Sequence, residues 1–182
     1  MEKWTDSLTR RLGRIQNRIE SILETDPLKR DPDAPPFEAS RDPSLVDGIS
    51  LGLPDDHIDR AIILFSRLAL LFDGGLLLEN HDGRWKPQAL FNEGVTRTTA
   101  SESSKGMSLP DMNSLLVLKT SLQPLCEKLG FRQVPFASKS ANAYVIRPVA
   151  DFAYVVVSDL PDLWLKEHLE RTSFALSRGF SE

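Results

Sequence analysis

The side chains best suited to covalent chemistry are one cysteine, Cys126, and three histidines, His57, His81 and His168. A cysteine attacks as its thiolate and usually needs a histidine close by as the base. At helical spacing around Cys126 stand three leucines, Leu122, Leu125 and Leu129. This spacing predicts that Cys126 is a small buried apolar residue.

Other catalytic and metal-binding patterns are missing from the sequence. No two histidines are close together, there is no HExxH motif, and a single cysteine excludes a disulfide or a cysteine-rich zinc site. There is no GxxxxGK[ST] phosphate loop, so a P-loop nucleotidase is excluded. Ser103, Ser104 and Lys105 stand in a serine-rich stretch without a GxSxG motif. We therefore expect neither an enzyme nor a cofactor or metal site.

Charge divides the chain of 182 residues into three parts. Residues 1–30 carry a net charge of +2, residues 31–59 carry −7 and residues 60–182 carry +1. The near-neutral third part lacks the basic face that nucleic-acid binding requires, so no nucleic-acid partner is expected. No stretch approaches the roughly 20 apolar residues of a membrane span, and the N-terminus lacks a secretory signal. We expect a cytoplasmic protein.

Residues 1–25 have the pattern of an amphipathic helix, with a heptad stripe of aliphatic side chains over residues 4–24. The stripe consists of Leu8, Leu12, Ile15, Ile19 and Ile22. Beside it stand arginines, Arg10, Arg11, Arg14 and Arg18. So narrow a stripe needs a second apolar surface, which is the chain's own domain or a second copy of the chain, while the arginines suit an anionic surface. Our candidate partner-binding set consists of this stripe and four further residues: Arg11, Arg14, Arg18 and Trp85. Trp85 is included because it follows a predicted turn.

Residues 26–54 contain six prolines and a strong acidic bias, which is typical of an extended linker. Such a segment is either a passive tether or a docking segment that orders on a partner. Within it, a late apolar patch could lie along the domain surface; it consists of Leu45, Val46, Ile49, Leu51 and Leu53.

Residues 55–182 have the pattern of one α+β domain with an antiparallel sheet. An apolar helix starts at Asp55 and Asp56, and the Asp82-Gly83 pair predicts a hairpin. Pro87 places the return strand at an edge or a bulge. A polar loop over 92–114, one strand, a short helix, a hairpin and a final helix follow.

Over residues 55–178 this succession resembles a GAF-like sensory domain, a relative of the PAS and profilin-like folds. The similarity is greatest at Ala143–Val157, which reads as a closing hairpin, and at Leu163–Ser177, a long final helix. The chain departs from that pattern at Pro87, and it has neither the cyclic-nucleotide signature nor a cysteine for bilin attachment. The resemblance implies a sensory or dimerising module and transfers no ligand.

Two functions follow as hypotheses. The first is a non-enzymatic signalling or scaffold module that forms a homodimer or docks a protein partner through its N-terminal helix and domain helices. The second is a sensor of a small molecule, a nucleotide or a metabolite, with a pocket under the 92–114 loop.

Overall fold

The computed structural model describes residues 38–99, 105–110, 115–131 and 138–181. In chain order the elements are α1 (Pro43–Gly48), α2 (His57–Leu68), β1 (Gly74–His81), β2 (Arg84–Asn92), β3 (Val95–Thr98), β4 (Leu115–Leu118), α3 (Leu122–Lys128), β5 (Ala143–Ile146), β6 (Phe152–Val157) and α4 (Asp162–Ser181). The strands form one antiparallel sheet in the order β3-β2-β1-β6-β5-β4. The predicted α+β class with an antiparallel sheet is confirmed. The predicted helix over 1–25 lies outside the described residues.

The hairpin predicted from the Asp-Gly pair joins β1 to β2. Asp82 and Gly83 have φ angles of 52° and 81°, the conformation that a two-residue hairpin turn of this type requires. The register shifts between Leu77 and Leu78, opposite Pro87. Pro87 therefore lies at a bulge, and β2 is an interior strand between β1 and β3.

Strand β3 lies within the segment predicted as a polar loop. Glu93 and Gly94, with φ angles of 48° and 79°, turn the chain so that β3 pairs with β2. Met107 then forms an isolated bridge with Trp85. Part of the 92–114 stretch is therefore sheet.

One face of the sheet is covered by α1, α2 and α4. Asp56 caps α2, because its carboxylate accepts hydrogen bonds from the amides of Ile58 and Asp59. Phe65 of α2 contacts Phe91 on the sheet at a ring-centre distance of 5.0 Å. The Tyr154 hydroxyl, fully buried, donates to the Ala61 carbonyl at 3.2 Å.

The other face of the sheet is covered by α3 and neighbouring segments. Its apolar cluster joins Leu76, Leu78 and Val155 of the sheet to Leu125 and Cys126 of α3. Ser121 stands at the N-cap of α3, but its side chain makes no capping hydrogen bond. The sheet therefore has an apolar core on both faces.

Part of the segment predicted as a linker is folded onto the domain. Asp42 caps α1 by accepting from the amide of Ser44, and Val46 and Ile49 are buried in the core. The Arg67 guanidinium of α2 donates to the carbonyls of Ile49 and Leu51. The late apolar patch thus supplies core residues as well as surface ones.

Candidate interaction surface

Helix α4 begins immediately after Pro161 and has three large apolar side chains on its outside. Asp162 stands in the first turn, where an acidic group interacts favourably with the helix dipole. Leu163 is 85% exposed, Trp164 65% and Phe174 71%. Large apolar side chains at such exposure on one element indicate a contact surface.

The inner side of α4 is held firmly against the sheet. Leu165, Leu169 and Leu176 are buried, and Phe180 stacks on Phe152 at 6.3 Å between ring centres. These contacts fix the rotation of α4 about its own axis, and this rotation leaves the outer side chains exposed.

Helix α1 and the turn after it lie along one flank of α4. The Arg178 guanidinium donates to the Ser50 hydroxyl at 2.9 and 3.1 Å, and Arg171 lies 4.0 Å from the Asp47 carboxylate. Leu45 of α1 and Leu51, which follows it, are also exposed. We call Leu45, Leu51, Leu163, Trp164 and Phe174 the helical surface; it holds five of the eight exposed large apolar residues among those described.

A narrow apolar groove lies at the other flank of α4, beside the edge strand β4. It has a volume of about 220 Å³. It is lined by Leu115, Val117, Tyr144, Asp162, Leu165, Lys166 and Leu169. We call it the edge groove; Val117 in it is 50% exposed.

A polar cleft lies where the described chain begins. Glu38–Arg41 line it together with Asp73, Asp159 and Leu160. Burial raises the pKa of Asp73, an effect that a hydrogen bond from the Asp159 amide, 2.8 Å away, partly opposes. We call this the N-terminal cleft.

The sheet face under α3 carries polar groups among apolar ones. The Arg147 guanidinium stands 5.1 Å from the centre of the Trp85 ring, within reach of a cation–π interaction. The Thr99 hydroxyl is fully buried and has no hydrogen-bond partner among the described residues. Arg97 is close enough to Cys126 to affect the pKa of its thiol.

The histidines and Cys126 do not form a catalytic group in the described structure. Burial raises the pKa of Cys126 to about 12, so its thiol stays protonated at neutral pH. His81 Nε2 lies 3.0 Å from the carboxylate of the buried Glu79, and His168 Nε2 lies 3.3 Å from the Leu71 carbonyl. In the ranges that the structure describes, no three His, Cys, Asp or Glu side chains converge as a metal site requires.

The predicted partner-binding residues have different outcomes. Leu8, Leu12, Ile15, Ile19, Ile22, Arg11, Arg14 and Arg18 lie outside the described residues. The expectation that Trp85 is exposed is wrong: Trp85 is 3% exposed, because Met107 pairs with it and Arg147 lies over its ring.

Of the two tryptophans in the described residues, Trp164 is exposed and Trp85 is buried. The sequence does contain evidence for the exposure of Trp164, because its position on the helical wheel lies away from the buried residues. Counting along α4, Leu165, Leu169, Thr172 and Leu176 share one stripe, and Trp164 falls outside it at 100° per residue.

No protein-family model matches this chain, and no curated protein or solved structure is significantly similar to it. None of the helices in the described ranges has both the length and the hydropathy to cross a membrane.

Proposed function

We propose that this chain is a non-enzymatic cytoplasmic signalling or scaffold module that forms a homodimer, or docks a protein partner, through its N-terminal helix and domain helices. The observation that carries the proposal is the exposure of Leu163, Trp164 and Phe174 on α4, a helix fixed on its inner side. An exposed apolar side on a rigid helix is a surface ready for association without a change of fold.

We also propose a GAF-like identity for residues 55–178. Its support is the antiparallel hairpin of β5 and β6, followed by the 20-residue helix α4. This is the succession of closing hairpin and final helix on which the resemblance rests. Strand β6 also pairs with β1, so the last hairpin completes the centre of the sheet.

The size of the helical surface bears on how association works. Burying an apolar side chain of this kind contributes about 1.5–3 kcal/mol, so the three exposed residues of α4 contribute about 4.5–9 kcal/mol together. Association costs roughly 4–15 kcal/mol in lost freedom of motion. Burial of Leu45 and Leu51 as well raises the gain to about 7.5–15 kcal/mol, so a stable dimer needs the whole helical surface.

Light scattering on the full chain tests self-association. We expect a mass of twice 20.4 kDa for the wild-type chain and a shift toward 20.4 kDa for Phe174→Glu. Val95→Glu is the matched control, because Val95 is an exposed apolar residue on the edge strand β3, away from the helices. A monomeric wild-type chain, or equal loss of the dimer in both variants, would contradict the proposal.

A small-molecule sensor is the second candidate, and the buried Thr99 hydroxyl favours it. An unpaired buried hydroxyl costs about 1–3 kcal/mol, a cost that a polar ligand under the 92–114 loop would relieve. Thr99→Val should then keep or raise the unliganded melting temperature. A nucleotide or metabolite that raises the melting temperature of the wild-type protein should do so less for Thr99→Val. A panel without any shift would count against a sensor.

A further inference from the structure

The edge groove combines an apolar lining with a size that suits protein side chains. Leu115 and Val117 stand on one wall, Leu165 and Leu169 on the other, and Tyr144 between them. At about 220 Å³ it is smaller than the roughly 300–1,000 Å³ of typical small-molecule pockets. It lies between the edge strand β4 and the first half of α4, so aliphatic side chains of another segment can enter it.

A continuous surface path connects the beginning of the described chain to this groove. Glu38–Arg41 line the N-terminal cleft beside Asp159 and Leu160. The same Asp159 and Leu160 line a second cleft together with Tyr144 and Leu165. Tyr144 and Leu165 also line the edge groove. Glu38, the first described residue, therefore lies on the side of the domain where α4 begins.

From this geometry we infer that the edge groove is the docking site of residues 4–24 of the same chain. These residues carry five aliphatic side chains at heptad spacing, Leu8, Leu12, Ile15, Ile19 and Ile22. A helix with this stripe places its aliphatic side chains in the groove and leaves its arginines toward solvent.

The chain between the two parts is long enough for this docking. Residues 25–37 are 13 residues, which span at most roughly 43–47 Å when extended. Helix α4 is 20 residues long, or about 30 Å, and the groove lies along its first half. A short tether also raises the effective concentration of the helix at the groove to the millimolar range, which favours the same chain over a second copy.

This docking takes the N-terminal helix out of the proposed self-association and leaves the domain helices to carry it. The edge groove and the helical surface lie on different sides of α4, so each can be occupied while the other is free. The stripe of residues 4–24 is then buried within one chain, and contact between copies falls to the helical surface.

Hydrogen exchange of the full-length chain tests the inference. Most of the stability of an amphipathic helix comes from packing of its apolar face, so without docking we expect its amides to exchange at close to the rate of an unfolded chain. We expect the amides of residues 8–22 in the wild-type protein to exchange at least tenfold more slowly than those of an unfolded chain. Val117→Glu should abolish this protection. Val95→Glu is the matched control, since Val95 and Val117 are both valines on edge strands and both 50% exposed. It should leave the protection unchanged.

A reciprocal variant keeps the test decisive if Val117→Glu does not fold. Ile15→Glu changes a residue outside the described domain, and we expect it to speed exchange of Leu115–Leu118 and of residues 8–22. Absence of protection in the wild-type chain, or equal protection in Val117→Glu and Val95→Glu, would overturn the inference. Protection that grows with protein concentration would also overturn it, because a second copy would then occupy the groove. A monomer by light scattering with full protection would contradict only the proposed self-association.

Discussion

At the scale of single residues, burial decides what the most reactive side chain can do. Cys126 lies against Leu122, Leu125 and Leu129, and burial raises the pKa of its thiol to about 12. A thiol of such pKa has almost no thiolate at pH 8, and its neighbours also block access. The chemistry of Cys126 is therefore that of a small apolar side chain.

We predict that Cys126 in the native protein reacts with a thiol reagent at pH 8 at least a hundredfold more slowly than in the unfolded chain. Cys126→Ser should lower the free energy of unfolding by about 1–3 kcal/mol, because it places a hydroxyl among leucines. Ellman titration with and without denaturant, and urea unfolding, measure the two effects. Rapid stoichiometric labelling of the native protein would show that the thiol is accessible.

His168 links stability to pH. Its ring lies 5.0 Å from the Phe72 ring, centre to centre, with the two planes tilted by 57°. Burial lowers its pKa, an effect that the Leu71 carbonyl partly opposes. A folded-state pKa below the unfolded value means that protonation favours the unfolded chain. The contribution is therefore fully present above the usual pKa of about 6.5 and is lost as the pH falls below it.

We predict that the free energy of unfolding falls between pH 7.5 and pH 5, and that His168→Gln shows a smaller fall. The glutamine keeps an N–H that can donate to the Leu71 carbonyl but does not titrate in this range. Urea unfolding at several pH values measures both slopes. Equal slopes in the two proteins would assign the pH dependence to other groups.

At the scale of elements, the close approach of β2 and β6 to β1 leaves no room for a side chain at Gly75. A Cβ at Gly75 would lie 2.6 Å from the Phe91 ring and 2.6 Å from the Val155 carbonyl oxygen. Gly75 pairs with Phe91 on β2 and with Val156 on β6, so neither side can move without shifting the centre of the sheet.

We predict that Gly75→Ala destabilises the protein by about 1–3 kcal/mol through overpacking. Gly48→Ala is the control, because a Cβ at Gly48 in α1 meets nothing within 4 Å. That change should be neutral or stabilise the helix by up to about 1 kcal/mol. Thermal unfolding of the two variants measures the difference. An equal effect of the two changes would show that the sheet accommodates a Cβ at Gly75 without loss of stability.

The elements with strong local signals are those that sequence reasoning predicts. The Asp82-Gly83 turn, the apolar spacing after Asp56 and the alternation at Phe152–Val157 all depend on residues close together in the chain, and the structure contains the corresponding hairpin, helix and strand. Strand β3 is not predicted, because three of its four residues, Val95–Thr98, are polar and its pairing depends on β2 and the turn at Gly94.

At the scale of the whole molecule, the contact surfaces depend on which sides of the helices the fold leaves uncovered. Apolar residues occur on both the inner and the outer side of α4. Only the packing of Phe180 on Phe152, and of α1 along the flank of α4, shows which side faces the core. Trp164 lies on an uncovered side of α4, whereas Trp85 on β2 is covered by Met107 and Arg147. A one-dimensional pattern predicts an amphipathic helix but not its rotation when both sides carry large apolar residues.

Residues 46–54, which precede α2, are part of the stable unit of the chain. Val46 and Ile49 are almost fully buried, and Leu53 packs against the same core. The segment is also held by Arg60, which donates to the carbonyls of Pro54 and Gly179. A chain that begins at Glu38 keeps all of these contacts. One that begins at Asp55 keeps the α2 cap and the hydrogen bond from Arg60 to Gly179 but loses the contacts made by residues 46–54.

We therefore predict that the chain beginning at Asp55 has a free energy of unfolding about 3–6 kcal/mol lower than the chain beginning at Glu38, because burial of Val46 and Ile49 contributes about 1.5–3 kcal/mol each. Domains of this size have only about 5–15 kcal/mol in total, so the shorter chain should be close to unfolding at 37 °C. Urea unfolding of the two chains side by side measures the difference. Equal midpoints would mean that α1 covers the core without stabilising it, and that the stable unit begins at α2.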